Sequence, residues 1–237
     1  MLPSSSGSLP LFRFRGIAVS VHWSWFFVAL YSIQTRQGLY HSPLWNIYEY
    51  LALFGIVLLH EFGHSLACQQ TGGQADRIVL WPLGGVAFVN PPQRAGAQLW
   101  SIAAGPLVNV ALLPVFYGLN RLALANHWSG AAPDSVEFLR QVGRINLGLL
   151  LFNVLPIYPL DGGQILCSLL WFPLGRARSL MVATVLGFGG VAFLGWLAFR
   201  EGSLWLGVIA YFAGVQCLAG FQHARALARA EPPPGPF

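Results

Sequence analysis

The chain has 237 residues, of which 55% are hydrophobic and only 9% are charged. A typical soluble domain has about 25% charged residues, so this composition excludes an ordinary soluble enzyme and indicates a polytopic membrane protein. The net charge of +5 comes from arginine, since the sequence contains no lysine. The arginines are scattered near the ends of apolar runs, a distribution that fits membrane orientation and not nucleic-acid binding.

The first long apolar run predicts a transmembrane helix behind a short tail. Residues 1–12 are predicted to be flexible, because serine and proline are frequent in this segment. From Gly16 onward the chain carries no charge until Arg36, and no small-x-small cleavage site ends the run as in a signal peptide. About 20 apolar residues cross a bilayer core, so the first span is expected to begin at Gly16.

Five further runs complete a predicted bundle of six. Three of them, residues 94–121, 178–200 and 201–225, are uncharged between their ends and long enough to cross. The other two involve an acid, because residues 50–75 contain Glu61 and residues 145–160 lead directly into Asp161. The predicted fold is therefore an all-α polytopic membrane protein with about six transmembrane helices.

A break in helical character is expected after the second span. Gly72 and Gly73 are predicted to end that helix, and two β-prone runs follow at residues 78–81 and 86–89, separated by proline and glycine. This pattern predicts a short β-hairpin. Farther along, residues 164–174 are apolar but too short to cross, which predicts a half-helix or an interfacial helix.

One acid in the membrane lies between two histidines, and acids at this depth are costly and usually functional. The second predicted helix contains the sequence His60-Glu61-Phe62-Gly63-His64. Histidines four positions apart lie on the same helix face, so both imidazoles can reach one metal ion with Glu61 beside it. The alternative is a pair of hydrogen-bonding histidines next to a protonated acid.

Zinc suits this arrangement of side chains. Two imidazoles and one carboxylate leave the fourth tetrahedral position to water, and Glu61 can take a proton from that water as a general base. The third ligand has to come from another segment. Asp161 is the only other acid in an apolar context.

Other motifs accompany the histidine pair along residues 13–220. They are Gly16–Trp25, Leu83–Gly85, Ala104–Asn109 with its GPxxN pattern, and Asn153–Gly163 with its NxxPxxxLDGG pattern. In order and spacing the set resembles the site-2 protease family of intramembrane zinc metalloproteases, in its sporulation-type branch.

The resemblance implies a role for each matching residue. His60, His64 and Asp161 match the ligands of one zinc ion per chain, and Glu61 matches the general base. Asn153 matches a residue that holds substrate or stabilises the oxyanion, since an amide can donate to developing negative charge. A hydrogen bond between helices is the alternative role of Asn153.

Two further features have open interpretations. Asn109, beside Gly105 and Pro106, is expected to be structural, because small residues let membrane helices approach closely. The predicted hairpin at residues 78–89 is either a surface loop or an exposed strand edge. Such an edge could pair with an unwound substrate by β-addition.

The resemblance also implies organisation and partners. Residues 13–228 would form a single transmembrane protease domain, followed by a flexible tail at residues 229–237, with no room for the PDZ or CBS domains of other relatives. Substrates would be membrane-anchored proteins in the bilayer, such as transcription-factor or anti-sigma precursors, and no nucleic acid is expected. The oligomeric state is not indicated. Two other classes stay open, namely a metal- or proton-linked membrane transporter and an inactive protease-like membrane receptor.

The arginines predict an orientation in a bacterial-type cell membrane. With six spans and the N-terminus in the cytosol, more arginines fall on cytosolic segments than on outer segments, which favours this arrangement. The cytosolic arginines are Arg13, Arg15, Arg77, Arg94, Arg176, Arg178, Arg225 and Arg229, and the outer ones are Arg36, Arg121, Arg140, Arg144 and Arg200. Both termini and the active site are therefore expected to lie towards the cytosol.

Overall fold

A computed structural model describes residues 7–27, 29–30, 38–81 and 84–230 of the chain. The strands are β1 (Ser8–Phe14), β2 (Ile17–His22), β3 (Gln74–Trp81) and β4 (Gly84–Asn90). The helices are α1 (Leu44–Gln70), α2 (Ala95–Ala125), α3 (Trp128–Ala131), α4 (Pro133–Val154), α5 (Asp161–Leu174), α6 (Arg176–Glu201) and α7 (Leu204–Ala230). Residues 25–27 and 29–30 are also helical.

The chain divides into two compact units. The first unit consists of residues 1–92 and 104–151, and the second consists of residues 93–103 and 152–237. Helix α2 contributes residues to both units, because the division falls inside it.

The strands of the first unit form one sheet in the order β1-β2-β3-β4. β1 and β2 are antiparallel, β2 and β3 are parallel, and β3 and β4 are antiparallel. Buried side chains from β2 and β3 form a hydrophobic core with Val57 of α1, and this core includes Ile17, Ile78 and Leu80. The sheet is thereby packed on the helix that contains His60.

The segment that begins the first predicted span is a strand, so the prediction of a helix from Gly16 is wrong for residues 17–22. Ile17, Val19 and Val21 alternate with smaller residues, and all three side chains are buried. A period of two is typical of a strand, whereas the absence of charge does not distinguish a strand from a helix. Of the rest of that span, residues 25–27 and 29–30 are helical, whereas residue 28 and residues 31–37 lie outside the described residues.

The N-terminal segment contributes a strand as well. Within the expected tail, the part from Ser8 onward belongs to β1. Its partner across the ladder is β2, with Phe14 opposite Ile17 and Ser8 opposite His22. Residues 1–6 and 231–237, the other parts of the two expected tails, lie outside the described residues.

Helix α1 ends where the glycines predict. Its last residue is Gln70, and Gly72 has a φ of +84°, a left-handed conformation that glycine adopts without strain. Both β-prone runs lie within strands, with Gln74 of β3 opposite Asn90 of β4 and Trp81 opposite Gly84. Residues 82–83, between these strands, lie outside the described residues.

Among the described residues, four helices are long and apolar enough to cross a membrane, namely α1, α2, α6 and α7. The predicted all-α fold is thus corrected to a mostly helical integral membrane protein with a small four-stranded sheet. Helix α4 falls outside this group, and it carries four charged residues between positions 134 and 144. These are Asp134, Glu137, Arg140 and Arg144.

Candidate metal centre

Helix α1 places the two predicted histidine ligands side by side. His60 and His64 are one turn apart on this helix, and their Nε2 atoms are 3.1 Å from each other. The rings are nearly perpendicular, with an angle of 82° between their planes. Both side chains are buried, as is that of Glu61. The structure therefore brings together the two imidazoles that the HExxH spacing predicts.

Helix α2 leaves room in front of the two imidazoles. Gly105 of this helix lies so close to them that a Cβ atom would collide with Nε2 of His64 and lie 2.9 Å from Nε2 of His60. The two helices are also close at Gly63 of α1, where a Cβ atom would lie 2.6 Å from the carbonyl oxygen of Ala104. The absence of side chains at these positions permits the close approach of α1 and α2.

Two buried asparagines connect to His60 from the side opposite to its Nε2 atom. Nδ1 of His60 is 2.6 Å from Oδ1 of Asn109 on α2. The amide of Asn109 donates to Oδ1 of Asn146 on α4 at 2.8 Å, and the amide of Asn146 donates to the backbone oxygen of Asn109 at 2.9 Å. Both asparagines are completely buried.

These contacts extend the expectation for Asn109. It does lie where α1 and α2 are close, but its side chain also contacts a predicted metal ligand. Asn146 was not predicted as a site residue from the sequence. A signal was present, because each asparagine is a polar side chain in an otherwise apolar stretch, where polar groups seek a partner.

Strand β4 contacts Glu61. The backbone amide of Ala87 donates a hydrogen bond of 3.0 Å to Oε2 of Glu61. Gly85 of the same strand lies directly against this side chain, and a Cβ atom there would collide with Cγ of Glu61. The absence of a side chain at Gly85 therefore allows β4 to pass over the carboxylate.

Asp161 lies in the second unit, in the first turn of α5. The segment before it turns back tightly, with backbone hydrogen bonds from Ile157 to Leu155 and from Leu160 to Ile157. Gly162 and Gly163 follow, and a Cβ atom at either position would collide with the backbone of this turn. The close packing of the turn against the start of α5 thus requires glycine at positions 162 and 163.

The turn is held by the two last helices of the second unit. Sγ of Cys217 on α7 donates to the backbone oxygen of Tyr158 at 2.7 Å. Gly190 of α6 lies against the side chain of Ile157, which is buried with Leu194. Residues 164–174, expected to form a short helix, are part of α5.

Asn153 lies in the last turn of α4 and is half-buried. Its side chain makes no hydrogen bond to another residue in the described part of the chain. The helix-to-helix hydrogen bond that was the alternative interpretation of Asn153 is therefore not formed among these residues.

The residues present fit a zinc ion. Two nitrogens about 2.0–2.1 Å from one tetrahedral ion are separated by roughly 3.3 Å, which is close to the 3.1 Å between the two Nε2 atoms. The space in front of these nitrogens is kept open by Gly105. His60 and His64 therefore offer two potential ligands to one metal ion. The fold and the site together define an integral membrane protein whose first long helix carries a buried histidine pair suited to a metal.

The chain is similar to several known proteins. The sequence profile of Peptidase family M50 matches residues 48–126 and 121–197. A zinc metalloprotease of Methanocaldococcus jannaschii is 31% identical over 180 residues, which are 76% of this chain and 50% of that protein. Stage IV sporulation protein FB of Bacillus subtilis is 31% identical over 144 residues, which are 58% of this chain and 46% of that protein. The structure of the site-2 protease from M. jannaschii matches with a TM-score of 0.64 and 25% identity, covering 90% of this chain and 95% of that chain.

Because the profile matches more than half of its residues, the chain belongs to Peptidase family M50. This assignment confirms the resemblance to the site-2 proteases that the motifs indicate. The chain spans about half the length of the metalloprotease and sporulation-protein relatives that it matches.

Proposed function

We propose that this protein is an intramembrane zinc endopeptidase that cuts membrane-anchored proteins within or beside their transmembrane segments. The observation that carries the proposal is the buried His60–His64 pair, with its Nε2 atoms 3.1 Å apart and Glu61 in the same helical turn. The names of the metalloprotease relatives support zinc as the metal.

In this proposal His60, His64 and Asp161 hold the zinc ion. Imidazole and carboxylate are both common zinc ligands, and three protein ligands leave a position for water or substrate. The compact turn before α5 supports the assignment of Asp161, because it fixes the position of a carboxylate at the start of a helix. Zinc would supply Lewis-acid activation of a water molecule and of the substrate carbonyl group.

Glu61 is the general base. Its carboxylate would accept the proton of the attacking water and later deliver it to the leaving amine. The hydrogen bond from the Ala87 amide holds Oε2 in a fixed orientation, so less ordering of the side chain is needed when the proton is transferred. Asn153, in the last turn of α4, is proposed to donate from its amide to the substrate oxygen.

The substrate would bind along β4. In the described part of the sheet, β4 is the last strand in the order, and its other neighbour is β3. The amide of Ala87 points to Glu61, so backbone groups on that side of β4 face the carboxylate. An unwound segment of a transmembrane protein could add to this edge by β-pairing, and its peptide bond would then lie beside Glu61.

The other functional classes have less support. A transporter needs polar groups along a path through the membrane, whereas the buried polar groups around His60 converge on one histidine pair. An inactive receptor would not need the base, yet Glu61 is present and hydrogen-bonded. Membership of a peptidase family also favours hydrolysis.

We also propose that the protein has six crossings, with both termini and the site towards the cytosol. The support is the excess of arginines on the segments that this arrangement assigns to the cytosol. The fragment released by cleavage would then enter the cytosol. This outcome suits a membrane-anchored transcription-factor or anti-sigma precursor as the substrate class.

The proposal is tested by co-expressing single-span candidate substrates with the wild-type protein and with Glu61→Gln. The amide has nearly the same shape as the carboxylate but cannot accept the water proton. The variant should therefore keep its zinc and yield no fragment, while the wild type yields a shortened product. Substantial cleavage by Glu61→Gln that contains zinc would refute the assigned mechanism.

A further inference from the structure

The hydrogen bonds around His60 determine which of its two ring nitrogens carries a proton. We infer that a chain of amide hydrogen bonds, starting at the backbone carbonyl of Asn109, fixes the tautomer of His60 with its proton on Nδ1. Asn109 and Asn146 are thus positioning residues. They orient the imidazole of His60 and do not themselves contact a substrate. This inference deepens the proposed function, because it concerns the histidine that would bind zinc.

The direction of the hydrogen bonds follows from one group that can only accept. The backbone oxygen of Asn109 has no proton, so the group of Asn146 that lies 2.9 Å from it must be the NH₂ group. The other side of the Asn146 amide is then its oxygen, which faces the side chain of Asn109 at 2.8 Å. Because that oxygen can only accept, the group of Asn109 that faces it must be the NH₂ group.

The orientation of the Asn109 amide determines the protonation of the His60 imidazole. With its NH₂ group directed to Asn146, Asn109 presents its oxygen to Nδ1 of His60 at 2.6 Å. An amide oxygen only accepts, so Nδ1 of His60 must carry the proton. In a neutral imidazole the other nitrogen then has a lone pair. Nε2, the atom that lies 3.1 Å from Nε2 of His64, is therefore unprotonated.

Burial prevents an easy reversal of this polarity. Asn109 and Asn146 are completely buried, and His60 is nearly so. Rotating either amide by 180° would place two oxygens, or two NH₂ groups, against each other where no water can compensate. Partners that orient a metal-binding histidine usually change metal affinity by about 10- to 100-fold when they are removed.

The alternative explanation is that the asparagines only join α1, α2 and α4. Asn109→Asp separates the two explanations, because either oxygen of a carboxyl group next to His60 can accept from Nδ1 whatever Asn146 does. If the inference is right, Asn146→Leu weakens zinc binding in the wild-type background but does not weaken it in the Asn109→Asp background, where it removes an amide oxygen that would face a carboxylate oxygen. A purely structural contact would be lost with a similar effect in both.

The measurement is the zinc affinity of the protein in detergent, determined by competition with a chelator. The variants are Asn109→Leu, Asn146→Leu, Asn109→Asp and the double variant Asn109→Asp with Asn146→Leu. Asn109→Leu is expected to weaken binding by about 10- to 100-fold, and Asn146→Leu by about 10-fold. The double variant, in which the Asn146 oxygen no longer faces the carboxylate, should bind zinc about as tightly as the wild type, and Asn109→Asp alone should bind no more tightly than the double variant. The control is Asn126→Leu, since Asn126 is exposed just after α2 and its side-chain amide donates to the backbone oxygen of Leu122 on that helix.

A second readout does not need metal. In metal-free protein with ¹⁵N-labelled histidine, the His60 signals should show a protonated Nδ1 and an unprotonated Nε2, and Asn146→Leu should produce a mixture of tautomers. Wild-type affinity in both leucine variants, or equal losses in both backgrounds, would overturn the inference. Failure of the wild type to bind zinc would instead contradict the proposed function, and the ¹⁵N spectrum would still decide the tautomer.

Discussion

Gly105 of α2 faces the Nε2 atom of His64 so closely that no side chain fits between them. The same glycine lies near Nε2 of His60, to which a Cβ atom would be only 2.9 Å away. A single glycine thus keeps open the space in which a metal would contact both imidazoles.

Substitution Gly105→Ala is expected to abolish zinc binding, because the added methyl group would occupy this space. The residue is helical, so the backbone conformation itself tolerates alanine. The control is Gly118→Ala on the same helix, where a Cβ atom would meet nothing within 4 Å. Metal analysis of both purified variants is the measurement. Wild-type zinc content in Gly105→Ala would show that the metal lies elsewhere.

Substitution Gly85→Ala should have a different effect. A methyl group here would displace Glu61 and leave the two histidines in place. Zinc content should therefore remain at the wild-type level while cleavage falls by about 10²-fold or more, the range typical of a lost general base. Loss of zinc together with activity would indicate that the variant disturbs α1 as a whole.

Each proposed ligand should be required for zinc. His60→Ala, His64→Ala and Asp161→Ala are each expected to bind less than the one zinc ion per chain expected of the wild type, because a three-ligand site loses a bond. His127→Ala is the control, since His127 is exposed in the segment after α2. Full zinc occupancy in Asp161→Ala would remove that residue from the ligand set.

Asn153→Ala should slow cleavage without loss of zinc. A neutral amide donor to a developing oxyanion contributes about 10²- to 10³-fold to the rate. The measurement is the rate of fragment formation, together with zinc content. A variant that cuts at the wild-type rate would show that the amide is not part of the reaction.

The orientation is tested by labelling single cysteines introduced near residues 4 and 234. Both should react only after the cytosolic side is made accessible. The background should carry Cys167→Ala, because Cys68 and Cys217 are buried whereas Cys167 is partly accessible. Labelling of either introduced cysteine from outside intact cells would contradict the cytosolic placement of the termini.

Some features of this protein could be predicted from neighbouring residues in the sequence alone. The period of an α-helix places residues i and i+4 on one face, so the HExxH spacing alone predicts that His60 and His64 meet. Glycine ends a helix by its own conformational freedom, so the end of α1 before Gly72 was also predictable. These are properties of neighbouring residues and do not depend on the rest of the fold.

Strand β2 could not be predicted from the absence of charged residues alone. A run without charges is compatible with a transmembrane helix and with a buried strand. Residues 17–22 become a strand because β3 offers a parallel partner, with Ala18 opposite Arg77 and Val21 opposite Leu80. That partner lies about 60 residues farther along the chain, and no local pattern identifies it.

The surroundings of the histidines were decided by the tertiary structure. The sequence shows Gly105, Asn109 and Asn146 as separate residues on two apolar runs. Nothing in it indicates that Gly105 and Asn109 face His60, or that Asn146 bonds to Asn109. Close helix packing places Gly105 in front of His60 and Asn109 behind it. Buried amides must satisfy each other where water is absent, so packing, and not sequence spacing, determines which nitrogen of His60 is available to a metal.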